Sequence, residues 1–101
     1  LDIYRKNRQI IIDGLQKIGL QSFAPPDGAF YFYIDISQFS DNSLSFCNEI
    51  LEEVGVAITP GVDFDPIRGK TTIRISYARS TEEITEGISR LGQFMQKRGY
   101  C

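Results

Sequence analysis

The chain has 101 residues, 42% of them hydrophobic and 24% charged, with 11 basic side chains against 13 acidic ones for a net charge of −2. Such a composition describes one folded domain with a single core and excludes a disordered chain. The lack of a basic excess argues against nucleic acid, no apolar run is long enough to span a membrane, and two cysteines make no disulfide framework, all of which points to a cytoplasmic chain.

The chain opens at Leu1 inside a helical pattern and reads as part of something longer, with no signal-peptide pattern at its start. Over residues 2–18, Tyr4, Ile11, Leu15 and Ile18 share one helical face, and Gly19 is the expected stop. The basic cluster Arg5-Lys6-Asn7-Arg8 reads either as the solvated side of that helix or as a phosphate-binding patch.

Residues 20–23 are extended, and Pro26-Asp27-Gly28 has the chemistry of a tight turn. The turn feeds Ala29-Phe30-Tyr31-Phe32-Tyr33-Ile34-Asp35-Ile36, a strand with bulky residues on both faces. It reads as a central strand covered on both sides, one cover lying outside the chain. Aromatic runs also serve as stacking platforms for bases, but the charges nearest to this one are acidic.

Asp41, Asn42 and Ser43 are candidate caps for a helix whose stripe is Leu44, Cys47, Leu51 and Val54, closed by Gly55. On that stripe Cys47 reads as a small buried hydrophobe, and the chain has no histidine to activate it. The missing histidine also removes the commonest metal ligand, so no metal site is expected.

Val56-Ala57-Ile58-Thr59 reads as a short strand stopped by Pro60-Gly61, and residues 62–70 as a shaped loop without periodicity. Thr71-Thr72-Ile73-Arg74-Ile75-Ser76-Tyr77-Ala78 alternates, with Ile73, Ile75 and Tyr77 on one face and Thr72, Arg74 and Ser76 on the other. An arginine in such a strand is either a solvated residue at the sheet edge or a fork aimed at a carboxylate or phosphate. Ser80-Thr81-Glu82-Glu83 is a capping box, Ile84, Ile88, Leu91 and Met95 form the stripe of the last helix, and Gly99 closes it. The order predicts an α+β two-layer sandwich, a small sheet of about three strands with helices on one face and Arg74 on the other.

Three motifs in order carry a resemblance: Pro26-Asp27-Gly28-Ala29-Phe30-Tyr31, then Val56-Ala57-Ile58-Thr59-Pro60-Gly61-Val62-Asp63-Phe64, then Ile73-Arg74-Ile75-Ser76-Tyr77-Ala78. Together they resemble the C-terminal small domain of class I/II aminotransferases, the aspartate aminotransferase-like enzymes of fold type I. The resemblance covers nearly the whole chain. It implies one domain over residues 1–101, with residues 1–18 ending the helix that links to an absent large domain. It implies that Arg74 binds the substrate's α-carboxylate, with Phe30 and the loop through Phe64 similar to residues that approach the active site. It further implies amino acid and 2-oxo acid substrates, a homodimer when intact, and pyridoxal 5′-phosphate bound by the large domain.

No catalytic or cofactor-binding residue is expected in this segment, because Lys6, Lys17, Lys70 and Lys97 stand in no motif matching the family's catalytic lysine. The loop reads Phe64-Asp65-Pro66 where many relatives have glycine after the phenylalanine, a departure that bears on the preferred amino acid. The alternative is a stand-alone small-molecule-binding or regulatory α+β domain, against which an exposed apolar sheet face would count.

Overall fold

A computed structural model describes residues 2–23 and 30–101. The turn expected at Pro26-Asp27-Gly28 lies outside the described residues. Three helices, α1 (Asp2–Ile18), α2 (Ser43–Val54) and α3 (Thr81–Lys97), pack on one face of an antiparallel sheet. The sheet is built from β1 (Gln21–Phe23), β2 (Tyr31–Asp35), β3 (Thr59–Pro60) and β4 (Thr72–Ser76), in the order β1-β2-β4-β3. Among the described residues no helix is long and apolar enough to cross a membrane.

The two-layer architecture is as expected, but the sheet has four strands rather than about three. The extra one is β1, whose three residues are too few to show alternation; it is defined by pairing Phe23 with Tyr33 and Gln21 with Asp35. The third strand is also shifted. Val56 and Ile58 pack against the core without joining the ladder, and pairing begins only at Thr59, opposite Arg74. Pro60 can end this strand because an edge position does not require its missing N–H.

Register sorts the side chains. Phe32 pairs with Ile75 and Ile34 with Ile73, and these four face the helices; Tyr31, Tyr33 and Arg74 take the opposite face. In the helical layer Ile11, Leu15 and Ile18 of α1 meet Ile84, Leu91, Phe94 and Met95 of α3. In α2 the buried residues are Ser43, Phe46, Cys47 and Ile50; of the expected stripe Leu44, Cys47, Leu51 and Val54, Cys47 is buried and Val54 packs partly against the core, but Leu44 and Leu51 turn outward. The helix carries two overlapping apolar stripes, and the Phe46 ring meeting Phe94 edge-on at 5.6 Å selects one. Leu44 and Leu51 are left 51% and 50% exposed.

Helix ends follow local chemistry. Asn42 caps α2 by accepting from the Ser45 amide, and Ser80 caps α3 by accepting from the Glu83 amide while its hydroxyl donates to the Glu83 carboxylate. Gly55 closes α2 at φ 73°, a left-handed conformation in which its N–H reaches the Leu51 carbonyl. The basic cluster of α1 is solvated at Arg5, Lys6 and Arg8, but Asn7 is fully buried. Its amide donates to the carbonyls of Tyr77 at 3.2 Å and Arg79 at 2.6 Å, and its oxygen accepts from the Thr81 hydroxyl at 2.8 Å. Asn7 thereby ties α1 to the turn between β4 and α3.

Candidate functional site

The sheet face away from the helices is aromatic and carries Arg74, while the Arg68 guanidinium carbon lies 5.9 Å from the Phe23 ring centroid on the same face. Arg74 lies in β4 between Tyr33 of β2 and Thr59 of β3. Tyr31 stands diagonally across from it, within reach of a long side chain. The Arg74 guanidinium carbon lies 4.8 Å from the Tyr31 ring centroid and 5.1 Å from that of Phe64. Phe64 comes from the loop and lies flat on Tyr33, centroids 5.1 Å apart and planes 8° apart. Phe23 of β1 meets the Tyr33 ring edge-on at 5.6 Å.

Arg74 is half-buried, yet among the described residues no carboxylate pairs with it. The ion pairs present join Arg79 to Glu83, Arg90 to Glu86, and Arg98 to Glu49 and Glu53. Contact with a ring face engages the charge of a guanidinium and not its N–H donors. Among the described residues Arg74 is therefore held by π-surfaces, with its N–H donors bonded to none of them, an arrangement suited to a planar oxyanion such as a carboxylate.

The loop that delivers Phe64 is folded by its own backbone. A 3-10 turn at Gly61–Asp63 sends the amides of Phe64 and Asp65 to the Gly61 carbonyl, at 3.0 and 2.8 Å. Asp65 then accepts from the amides of Ile67 and Arg68 at 2.9 and 3.0 Å, and these bonds hold its carboxyl below the ordinary range. Gly61 and Gly69 touch backbone to backbone, leaving no room for a side chain at either, and the Ser43 hydroxyl donates to the Gly69 carbonyl. The Thr72 hydroxyl fastens the loop to β4 through the Arg68 carbonyl at 2.7 Å.

The sequence-based candidates do not converge fully. The structure brings Phe64 onto Arg74 but places Phe30 on the helix side, its ring 5.1 Å from Tyr4 and 5.8 Å from Tyr77. Tyr31 and Tyr33, which the sequence reading assigned only to packing, are Arg74's neighbours. The signal available in the sequence was parity, since both alternate onto the face opposite Phe32 and Ile34. A cleft of about 540 Å³ opens between α3 and residues 55–59, floored by Ile75, Ile84, Ile88 and Leu91. Arg74 reaches its edge, but the rings that contact Arg74 do not line it.

Lys6, Lys17, Lys70 and Lys97 are all exposed on helix surfaces or the loop, and none is buried beside the aromatic face. Among the described residues no cluster of His, Cys, Asp or Glu suits a metal. Cys47 is buried as expected, its thiol pushed up to about 12 by that burial and then by the charge of Asp63. None of the four lysines therefore offers, at the aromatic face, the buried amine that the aldehyde carbon of pyridoxal phosphate would need.

The fold is thus a four-stranded antiparallel sheet with helices on one face and, on the other, an arginine that no carboxylate pairs among the described residues. Residues 1–91 match the family described as aminotransferase class I and II, and the chain belongs to that family. It is 47% identical over 92 residues to the valine–pyruvate aminotransferase of Mycobacterium tuberculosis, covering 91% of this chain and 24% of that protein. To the aspartate/prephenate aminotransferase of Thermus thermophilus it is 32% identical over 94 residues, covering 93% and 23%. Among solved structures, an aminotransferase from Mycobacterium tuberculosis superposes with a TM-score of 0.88 at 45% identity, covering 95% of this chain and 25% of that one. The aromatic aminotransferase of Pyrococcus horikoshii gives 0.86 at 29% identity, covering 99% and 26%. The chain thus spans about a quarter of the length of the relatives it matches.

Proposed function

We propose that the chain is the C-terminal small domain of an aminotransferase that exchanges an amino group between an amino acid and a 2-oxo acid, and that Arg74 binds the substrate's α-carboxylate. The observation that carries this reading is an arginine on a half-exposed aromatic face with no acid partner among the described residues. A bidentate fork fixes the carboxylate plane and with it the direction of the Cα–H bond, so Arg74 contributes orientation as well as affinity.

Pyridoxal phosphate, when held by the rest of the protein, would supply the electron sink for the reaction. The aromatic face is the surface on which the large domain of the same chain would close, and α1 is the link to that domain. The intact enzyme would be a homodimer. Phe23, 40% exposed on that face, fits a domain with a cover better than a stand-alone binding module. Valine and pyruvate, named for the 47%-identical relative, are the first substrate pair to test.

The test uses the full-length gene product. It should show visible cofactor absorption that changes on adding an amino acid, and transfer of the amino group to pyruvate. Arg74→Gln should retain the cofactor band while kcat/KM for the amino acid falls about 10²–10³-fold, the worth of two charge-assisted hydrogen bonds. A colourless protein, or an Arg74→Gln enzyme of near wild-type efficiency, refutes the reading.

A further inference from the structure

Tyr31 and Phe64 both contact the Arg74 guanidinium, but they reach it by different routes. Strand register alone puts Tyr31 there. Phe64 has no register to place it. It is delivered by the 3-10 turn at Gly61–Asp63, and that turn is seated against Gly69, whose carbonyl the Ser43 hydroxyl holds. A glycine pair, a buried serine and an Asx turn thus converge on a loop whose aromatic residue lies flat on Tyr33 and against Arg74.

An arginine without an ion-pair partner loses rotamer entropy only when it is held, and a binding group left to sample rotamers pays that cost when the ligand arrives. From this we infer that Phe64 is a positioning residue: its ring holds Arg74 in the orientation that receives the substrate carboxylate, and discrimination between a carboxylate and an uncharged group depends on it. The inference rests on the carboxylate-binding reading of Arg74. A leucine at position 64 would cover Tyr33 but present no π-face to the guanidinium, so packing and positioning can be separated.

The experiment compares full-length wild-type enzyme with Phe64→Leu, Phe64→Tyr and Arg74→Gln. The half-reaction rate constant is measured with L-valine and with L-valinamide, or with L-alanine and L-alaninamide if that pair reacts faster. The readout is the ratio of acid to amide, which a loss of stability or general packing leaves unchanged. Phe64→Leu should lower the ratio about three- to tenfold, the range a cation–π contact spans, and Phe64→Tyr should keep it. The same split should appear without turnover in the dissociation constants of isovalerate and isovaleramide.

If Arg74→Gln leaves the ratio unchanged, the reading of Arg74 fails and the role of Phe64 with it. If Arg74→Gln collapses the ratio while Phe64→Leu slows acid and amide alike, or neither, only the role of Phe64 is overturned. A tyrosine variant as poor as the leucine variant also overturns it. Phe64→Met is the second ring-less variant should Phe64→Leu not fold.

Discussion

Replacing Asn7 tests whether α1 is clamped to the β4–α3 turn by one side chain. Asn7→Ala removes the donor to the carbonyls of Arg79 (2.6 Å) and Tyr77 (3.2 Å), and the acceptor for the Thr81 hydroxyl (2.8 Å). Two of these bonds are short. Each is worth about 1 kcal/mol net, and a buried group left without a partner costs about 1–3 kcal/mol. Arg79 is exposed and Thr81 half-buried, so water satisfies part of the loss and the expected cost is about 2–4 kcal/mol. Against a total stability of about 5–10 kcal/mol the variant still folds, with its urea midpoint lowered by about 2 M.

Asn7→Asp sharpens the test. The new carboxylate keeps the bond from Thr81 but turns an oxygen toward two carbonyls in a buried site, which raises its folded-state pKa above the unfolded value of about 3.9. A raised carboxyl pKa means the native state holds the proton more tightly. The deficit relative to wild type is therefore smallest below about pH 4 and grows as pH rises toward 7. Urea unfolding followed by far-UV circular dichroism, with wild type at each pH, measures both effects. An alanine variant within about 0.5 kcal/mol of wild type, the range of an ordinary surface change, refutes the clamp. So does an aspartate variant no worse at pH 7 than at pH 4.

At Gly61, a Cβ would run into the carbonyls of Thr72 and Gly69, and at Gly69 into the backbone of Gly61 and Val62. Gly61→Ala and Gly69→Ala should each cost about 3 kcal/mol or more, read as a drop in thermal midpoint, because backbone cannot move aside as a side chain can. Cys47 is buried with its thiol pushed up to about 12, whereas Cys101 is exposed. A chromogenic disulfide reagent should therefore titrate one thiol per native chain and both after denaturation; rapid reaction of two in the native state would contradict the burial of Cys47.

Much of the fold was legible where local chemistry decides the outcome. The glycine stops at Gly19, Gly55 and Gly99 all adopt positive φ, and Ser80 caps α3, although the Glu83 carboxylate reaches back to the Ser80 hydroxyl and not to its amide as a capping box would. These signals need only neighbours in sequence, within reach of one helical turn. Leu44 and Leu51 of α2 were assigned to the wrong face because two apolar stripes overlap, and contacts with distant segments, Phe46 on Phe94 and Ser43 on Gly69, decide between them. Asn7 was hidden for a related reason: its partners Tyr77, Arg79 and Thr81 lie 70 to 74 positions along the chain.

The candidate site divides the same way. Alternation along residues 71–78 was enough to put Arg74 on the face opposite Ile73 and Ile75. Which side chains hold Arg74 could not be read from either strand. Tyr31 is set beside it by the register of β2 against β4, and Phe64 by a loop that closes on two glycines in backbone contact. Periodicity and capping act over a few residues and are written into the sequence. Register and loop closure depend on contacts between distant segments, so the surroundings of the arginine were decided only when the sheet and its loop came together.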